Sequence, residues 1–280
     1  MYNCRMPQPP QLASLLATMP SLLVGFSGGV DSALLAVVAR RTLGRGRTLA
    51  AIGVSPSLAA GQLERALAIA REFDLNVEQV ETAEFANPAY VANPVDRCYH
   101  CKAELWRALT ELAVRRAVAV VADGTNLDDR GDHRPGLRAA TEFAIRSPLA
   151  EAGYTKAAIR VEARALGIPI WNAPAAPCLS SRVLYGLSVT PERVRQVEEG
   201  ESFLRSLGID GDLRVRHRGP EARIEADPKV FERIRRQRDR IGERLLQLGF
   251  DRVTLDLRGY RRGSLLDVGD APVELIAEAG

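Results

Sequence analysis

Residues 21–32 read Ser-Leu-Leu-Val-Gly-Phe-Ser-Gly-Gly-Val-Asp-Ser. The apolar run Ser21–Phe26 ends in glycine-rich sequence, and a helix follows over Asp31–Leu43, with Leu34, Leu35, Val38 and Leu43 marking its apolar side. The order is strand, tight loop, helix. Two adjacent glycines, Gly28 and Gly29, let backbone amides approach an anion closely, and the helix start adds a favourable dipole. Ser27 and Ser32 add hydroxyl donors. The loop has neither the GxxxxGK[ST] spacing that holds a γ-phosphate for transfer nor the GxGxxG spacing. Asp31 places a carboxylate beside the anion site, which makes chemical sense through a bridging Mg²⁺. The plainer alternative is a tight turn with a capping serine.

Outward from this loop the pattern repeats. A short helix over 11–19 precedes it. Strands are expected at 48–54, 75–80 and 117–122, and helices at 58–73, 101–114 and 156–166. Alternating strands and helices imply right-handed βαβ units and a mainly parallel sheet, hence an α/β fold. Ligands in such sheets sit at the carboxyl ends of the strands. The Ser27–Ser32 loop, the loop near Ser55 and the loop after Ala122 are expected there. Residues 169–186 are rich in Pro, Ala and Ser and read as an ordered linker. Beyond it come a helix over 191–207, a hairpin of 213–217 and 222–226, a helix over 230–248 and a strand over 252–257. That order predicts a small C-terminal α+β domain, with domains at 1–186 and 187–280.

The 280 residues carry a formal charge of +3, so no strong basic field advertises a nucleic-acid partner. No apolar run approaches the roughly 18–20 residues that span a bilayer, and the N-terminus lacks a signal-peptide pattern. A cytoplasmic protein without membrane attachment is expected. Of the 38 basic residues only Lys102, Lys156 and Lys229 are lysine. The four cysteines are Cys4, Cys98, Cys101 and Cys178. Thiols stay reduced in the cytoplasm, which favours catalytic or metal-binding use over disulfides.

Arg97-Cys98-Tyr99-His100-Cys101-Lys102 holds a C-x-x-C pair at a helix start, a spacing at which two thiolates can face one metal. No second pair exists, so a closed four-cysteine zinc site is not expected. Cys178 lies in Pro177-Cys178-Leu179-Ser180-Ser181-Arg182, where hydroxyls and Arg182 favour a thiolate. Three cysteines and one open position suit a [4Fe–4S] cluster with a free iron. They also suit a single reactive Cys178, with the pair kept for resolving or structural use. Small apolar packing residues are a third reading of the pair. Cys4 receives no role.

The Ser27–Ser32 hexapeptide resembles the PP-loop of the ATP pyrophosphatase superfamily, which implies an adenine nucleotide alpha hydrolase-like sheet with helices on both faces. It also implies ATP cleavage between the α- and β-phosphates. Asp123-Gly124-Thr125-Asn126-Leu127-Asp128-Asp129, Arg146–Gly153 followed by Thr155-Lys156, Pro177–Arg182, Arg97–Lys102 and Gly259–Ser264 extend the likeness. Together these segments, over roughly residues 10 to 265, resemble the LarE family of ATP-dependent sacrificial sulfur transferases. The resemblance implies a trimer-based homo-oligomer and a small nucleotide substrate, pyridinium-3,5-biscarboxylic acid mononucleotide. A carboxylate of that substrate attacks the α-phosphate of ATP, with Mg²⁺ near Asp31, and a sulfur nucleophile then displaces AMP. ATP is expected on Ser27, Gly28, Gly29, Asp31, Ser32, Gly124 and Asn126. Sulfur is expected from Cys178 itself, leaving dehydroalanine, or from a sulfide on a cluster held by Cys98, Cys101 and Cys178. Three cysteines favour the cluster form.

Lys102 or Lys156 can reach a phosphate or an acyl-adenylate. Arg214 and Arg216 alternate along a strand and so share one face, from which they can grip the substrate, with Arg261 or Arg262 as a similar group. The arginines of 233–240 read as a solvated face, His100, His133 and His217 lack metal-ligand spacing, and Trp106 and Trp171 read as packing residues. A different PP-loop enzyme, a tRNA thiolase or an amidating synthetase, is the alternative. The first usually carries a basic RNA-binding module and the second needs an ammonia source. A nucleotide- or metal-binding regulator without turnover is a further class, disfavoured by the presence of Asp31 and of Ser27 through Ser32.

Overall fold

The computed structural model describes residues 10–131, 135–174, 176–261, 263–266 and 272–279. Cys4, His133 and Arg262 lie outside them. The chain runs α1 (Pro10–Ala17), β1 (Leu22–Gly25), α2 (Val30–Leu43), β2 (Thr48–Val54), α3 (Ala60–Glu72), β3 (Val77–Glu81), α4 (Pro88–Val91), α5 (Arg97–Arg115), β4 (Val120–Ala122), α6 (Pro135–Glu142), α7 (Pro148–Glu151) and α8 (Lys156–Ala165). It continues with α9 (Pro191–Ser206), β5 (Leu213–Arg218), β6 (Glu221–Ala226), α10 (Phe231–Arg236), α11 (Arg238–Gln247), β7 (Arg252–Asp256) and β8 (Val273–Glu278). Among the described residues no helix is long and apolar enough to cross a membrane.

The chain packs as two compact units: residues up to Glu84 with Asp96–Ala176, and Phe85–Val95 with Pro177–Gly280. The sequence reading sets its divide ten residues later, at 186/187, and has no excursion at 85–95. Side chains explain the difference. The Tyr90 hydroxyl meets Ser180 Oγ at 2.8 Å, and Asn93 Nδ2 donates to the carbonyls of Leu184 at 2.8 Å and Leu187 at 2.9 Å. Val189 N also donates to Val91 O at 2.8 Å. The α4 segment thus belongs with the chain around Cys178.

In the first unit a parallel sheet has the order β3-β2-β1-β4. Period-two alternation sends residues to both faces. Leu22, Val24, Ala50 and Ile52 enter a core shared with Leu34, Leu35 and Ile159, while Leu23, Leu49 and Ala51 enter another with Trp106, Leu109 and Leu112. Helices therefore cover both faces, as the sequence implied. The strand order reverses between β1 and β4, so the loops after these two strands flank the switch point of the sheet. The α5 helix begins at Arg97, four residues before its expected start, and takes both cysteines of the pair into its first turns.

In the second unit a mixed sheet has the order β5-β6-β7-β8, with β6 and β7 parallel and the other pairs antiparallel. Val215, Ile224, Val253 and Leu255 pack against Ile234, Ile241 and Leu245. The single helix expected over 230–248 is two: Gln237, at φ −103° and ψ 11°, separates α10 from α11. Within the expected solvated arginine run, Arg235 reaches across to Glu274 on β8, at 2.9 Å.

A buried histidine gives this unit an acid-sensitive point. His217 is 4% exposed. Gln196 donates its amide nitrogen to Leu248 O at 2.7 Å, so its oxygen faces His217 Nε2 at 2.9 Å. Nε2 therefore carries the proton, and Nδ1 has no hydrogen-bond partner. Burial, then the nearby Arg193, pulls its pKa down to about 4. The folded state favours the neutral ring, so this contribution is intact above the unfolded value near 6.5 and is lost as pH falls from there toward 4. Thermal unfolding between pH 7 and 4 is expected to show a falling midpoint for the second unit, less steep in His217→Gln.

Candidate functional site

In the first unit the loop expected to hold an anion follows β1. Gly28 sits at φ +70°, and a Cβ there would lie 2.8 Å from that of Ala66, so glycine is needed twice over. Ser32 Oγ accepts from Ser27 N at 3.2 Å and donates to Gly29 O at 3.1 Å. Gly29 N donates to Ser27 Oγ at 3.3 Å, and Gln62 holds Ser27 O at 2.9 Å. The loop is thus pinned by its own serines, and Gly29 leads into α2 from an extended conformation.

The loop after β4 closes on the same place. A Cβ on Gly124 would stand 2.8 Å from Ser32 N and 3.1 Å from Ser32 Cα. Both are helix backbone, so no flexible side chain can yield. Gly124→Ala is expected to push the β4 loop off α2, destabilising by about 1–3 kcal/mol and weakening ATP binding, measured by denaturant unfolding and calorimetry. Asp123 accepts from Thr125 N at 3.0 Å and from Ser147 Oγ at 2.8 Å, which shapes the turn. Asn126 then donates to Asp31 Oδ1 at 3.2 Å, while Lys156 Nζ pairs with Asp31 Oδ2. At the end of β2, Ser55 donates to the buried Glu84 at 2.5 Å.

Seven expected nucleotide residues therefore gather in one place: Ser27, Gly28, Gly29, Asp31, Ser32, Gly124 and Asn126. Lys156 and its backbone partner Asp128 were not in that set. Asp128 Oδ2 accepts from Lys156 N at 2.8 Å. Their sequence signals were the Asp123–Asp129 segment for Asp128 and, for Lys156, a rare lysine at the Thr155-Lys156 helix start.

Cys98, exposed, and Cys101, half-buried, lie three residues apart at the start of α5. At that spacing side chains share a helix face. Lys102 follows, exposed, with Nζ 4.9 Å from the ring centre of Trp106. Cys178 belongs to the second unit. Among the described residues of either unit, no three His, Cys, Asp or Glu side chains form a metal-holding group.

The second unit holds Cys178 by its backbone. Arg182 Nη1 donates to Pro177 O at 2.6 Å and Cys178 O at 2.9 Å, and Ser181 Oγ also donates to Cys178 O at 2.7 Å. The other edge of the guanidinium meets the buried Glu201 in two bonds of 2.9 and 3.1 Å. Arg182 was expected to favour a thiolate; its hydrogen bonds go to two carbonyls, to Ser181 Oγ and to Glu201. Glu201 was missed, yet it left a signal. It shares a helical stripe with Val194, Val197 and Leu204, an apolar face interrupted by one carboxylate.

Arg214 and Arg216 are both buried on the polar face of the second sheet. Arg216 pairs with Glu225 at 2.8 Å, with Ser264 Oγ at 2.9 Å and with Ser181 O at 3.0 Å. Arg214 stacks 5.0 Å over Tyr260. Burial first, then Arg182, draws its pKa below the usual guanidinium value. Arg261 approaches the buried Asp256 at 3.9 Å.

The NAD synthase family profile matches residues 16–96, which carry the anion loop. An uncharacterized protein of Synechocystis is 44% identical over 258 residues, covering 91% of this chain and 95% of that protein. An uncharacterized protein of Methanocaldococcus jannaschii is 31% identical, covering 86% and 90%. The pyridinium-3,5-bisthiocarboxylic acid mononucleotide synthase of Lactiplantibacillus plantarum is 35% identical over 257 residues, covering 91% of this chain and 92% of that protein. With such a match along nearly its whole length, joined to a PP-loop set at the switch point of a parallel sheet, the chain belongs to the LarE family of the PP-loop ATP pyrophosphatase superfamily.

Proposed function

We propose that this enzyme converts a carboxylate of pyridinium-3,5-biscarboxylic acid mononucleotide into a thiocarboxylate at the expense of ATP, a step toward the nickel-pincer nucleotide cofactor. The observation that carries the reading is the Ser27–Ser32 loop, pinned by its own serines, with its Asp31 joined to Asn126 and Lys156. The backbone amides of this loop and the start of α2 receive the departing pyrophosphate. Asp31 offers a hard oxygen to the magnesium that travels with ATP. A carboxylate oxygen of the substrate attacks the α-phosphorus, the bond to the β-phosphate oxygen breaks, and a mixed anhydride with AMP forms.

The sulfur step belongs to Cys178. In the sacrificial form its thiolate attacks the acyl carbon and AMP leaves. Loss of the Cys178 α-proton then breaks the Cβ–S bond, so the substrate keeps the sulfur and the chain keeps dehydroalanine. Cys98 and Cys101 fit the cluster form through their soft donors and shared helix face. Cys98, Cys101 and Cys178 would hold a [4Fe–4S] cluster, which when bound supplies sulfur carried by an iron that no cysteine occupies. Arg214, Arg216 and Arg261 bind the phosphate or free carboxylate of the substrate, and Lys102 the anionic intermediate.

Turnover of Cys98→Ala after anaerobic purification separates the two sulfur sources. The cluster form predicts adenylation without sulfur transfer. One sulfur delivered per chain, with the protein mass falling by one H₂S, makes Cys178 the donor. Absence of AMP and pyrophosphate from the wild-type enzyme with this substrate contradicts the whole reading.

A further inference from the structure

Both oxygens of Asp31 are engaged by side chains of the first unit. Asn126 Nδ2 donates to Oδ1 at 3.2 Å, and Lys156 Nζ takes Oδ2. The two members of the ion pair are only partly covered, with side chains 23% exposed for Asp31 and 37% for Lys156. The backbone beneath Lys156 is by contrast fixed. Its N–H donates to Asp128 Oδ2 at 2.8 Å, Thr155 Oγ1 caps α8 by accepting from Ala158 N at 3.3 Å, and Leu127 N donates to Tyr154 O at 2.8 Å. A fixed helix start thus presents a four-carbon stem with a partly exposed ammonium to the Asp31 carboxylate.

This arrangement meets an electrostatic problem. A bare carboxylate beside the loop repels a triphosphate, and a carboxylate occupied permanently by ammonium has less to offer Mg²⁺. We infer that Lys156 is an exchangeable counter-ion: it neutralises Asp31 in the empty enzyme, yields Oδ2 to the incoming divalent cation, and swings onto the nucleotide phosphates. The inference rests on the reading that the Ser27–Ser32 loop binds ATP. Asn126 stays on Oδ1 throughout and keeps the carboxylate aimed, and Asp128 is a positioning residue that acts through the Lys156 backbone. No bond is made or broken; two cations trade one oxygen, and the freed ammonium gains a charge-assisted contact to phosphate.

The exchange predicts effects of opposite sign. Wild type and Lys156→Gln are titrated by calorimetry with Mn²⁺ alone and with MgATP. Removing the competitor raises Mn²⁺ affinity by about threefold or more, while losing the phosphate contact lowers MgATP affinity by about tenfold to a hundredfold. A lysine that merely holds the fold together lowers both affinities. Affinities that fall together, or that do not move, overturn the inference. Should the variant fail to fold, the wild-type chain supplies the same test, because it has only three lysines. Acetylation mapped by mass spectrometry is expected to slow at Lys156 in saturating MgATP and to hold constant at the exposed Lys229. Unchanged labelling of Lys156 at saturating nucleotide overturns the exchange. If wild type binds no MgATP, the ATP reading fails instead.

Discussion

Cys178→Ala is expected to abolish thiocarboxylate formation while leaving adenylation nearly intact. The fall in sulfur transfer should be on the order of a thousandfold or more, the scale on which removing a nucleophile acts. Exchange of labelled pyrophosphate into ATP, driven by the pyridinium carboxylate, should stay within about threefold of wild type, since the removed group acts only after the acyl-adenylate forms. Both sulfur sources require this outcome, because Cys178 is the donor in one and a cluster ligand in the other. Cys178→Ser should be equally inactive in transfer, its hydroxyl being a weak nucleophile without a dedicated base. Sulfur transfer surviving in both variants would remove Cys178 from the mechanism.

The second large effect is expected at Arg182 and Glu201, whose side chains are only 6% and 9% exposed. Removing one partner of a buried pair strands a charge, and Glu201→Leu or Arg182→Met should each destabilise by about 3–5 kcal/mol. The double variant should recover much of that loss, because no unpaired charge remains. Unfolding must be followed with a probe in the second unit, since two compact units need not unfold together. The Arg182 variant has a further consequence. It releases the Pro177 carbonyl and removes one of the bonds that hold the Cys178 carbonyl, so sulfur transfer should drop even under conditions where the chain stays folded. Single variants that unfold like wild type would show that the pair contributes little.

The residues differ in how far their sequence context reveals them. The anion loop was legible because glycines, hydroxyls and an acidic residue stand together between a strand and a helix, so local chemistry defines it. The β1 and β2 spans were legible as short continuous apolar runs, and α8 and α9 from the spacing of their apolar residues. The α4 segment was not, being four residues whose place is fixed by Tyr90 and Asn93 bonding to chain some 90 residues away. The β8 strand, Val-Glu-Leu-Ile-Ala-Glu, was passed over although it closes the second sheet. Glu201 left a mark by interrupting an apolar stripe, whereas Glu225 gains its meaning only where the fold sets Arg216 against it. Lys156 had been noticed as a rare lysine at a helix start, but its partner Asp31 lies 125 residues earlier.

The central claim is that a substrate carboxylate is activated by attack on the α-phosphorus of ATP. It is tested most directly by supplying pyridinium-3,5-biscarboxylic acid mononucleotide with both carboxylates labelled with ¹⁸O, and weighing the AMP released in a single turnover. Attack by the carboxylate leaves one of its oxygens on phosphorus when sulfur displaces AMP from the acyl carbon, so the AMP should carry one ¹⁸O. Unlabelled AMP, or ADP in its place, would contradict the account.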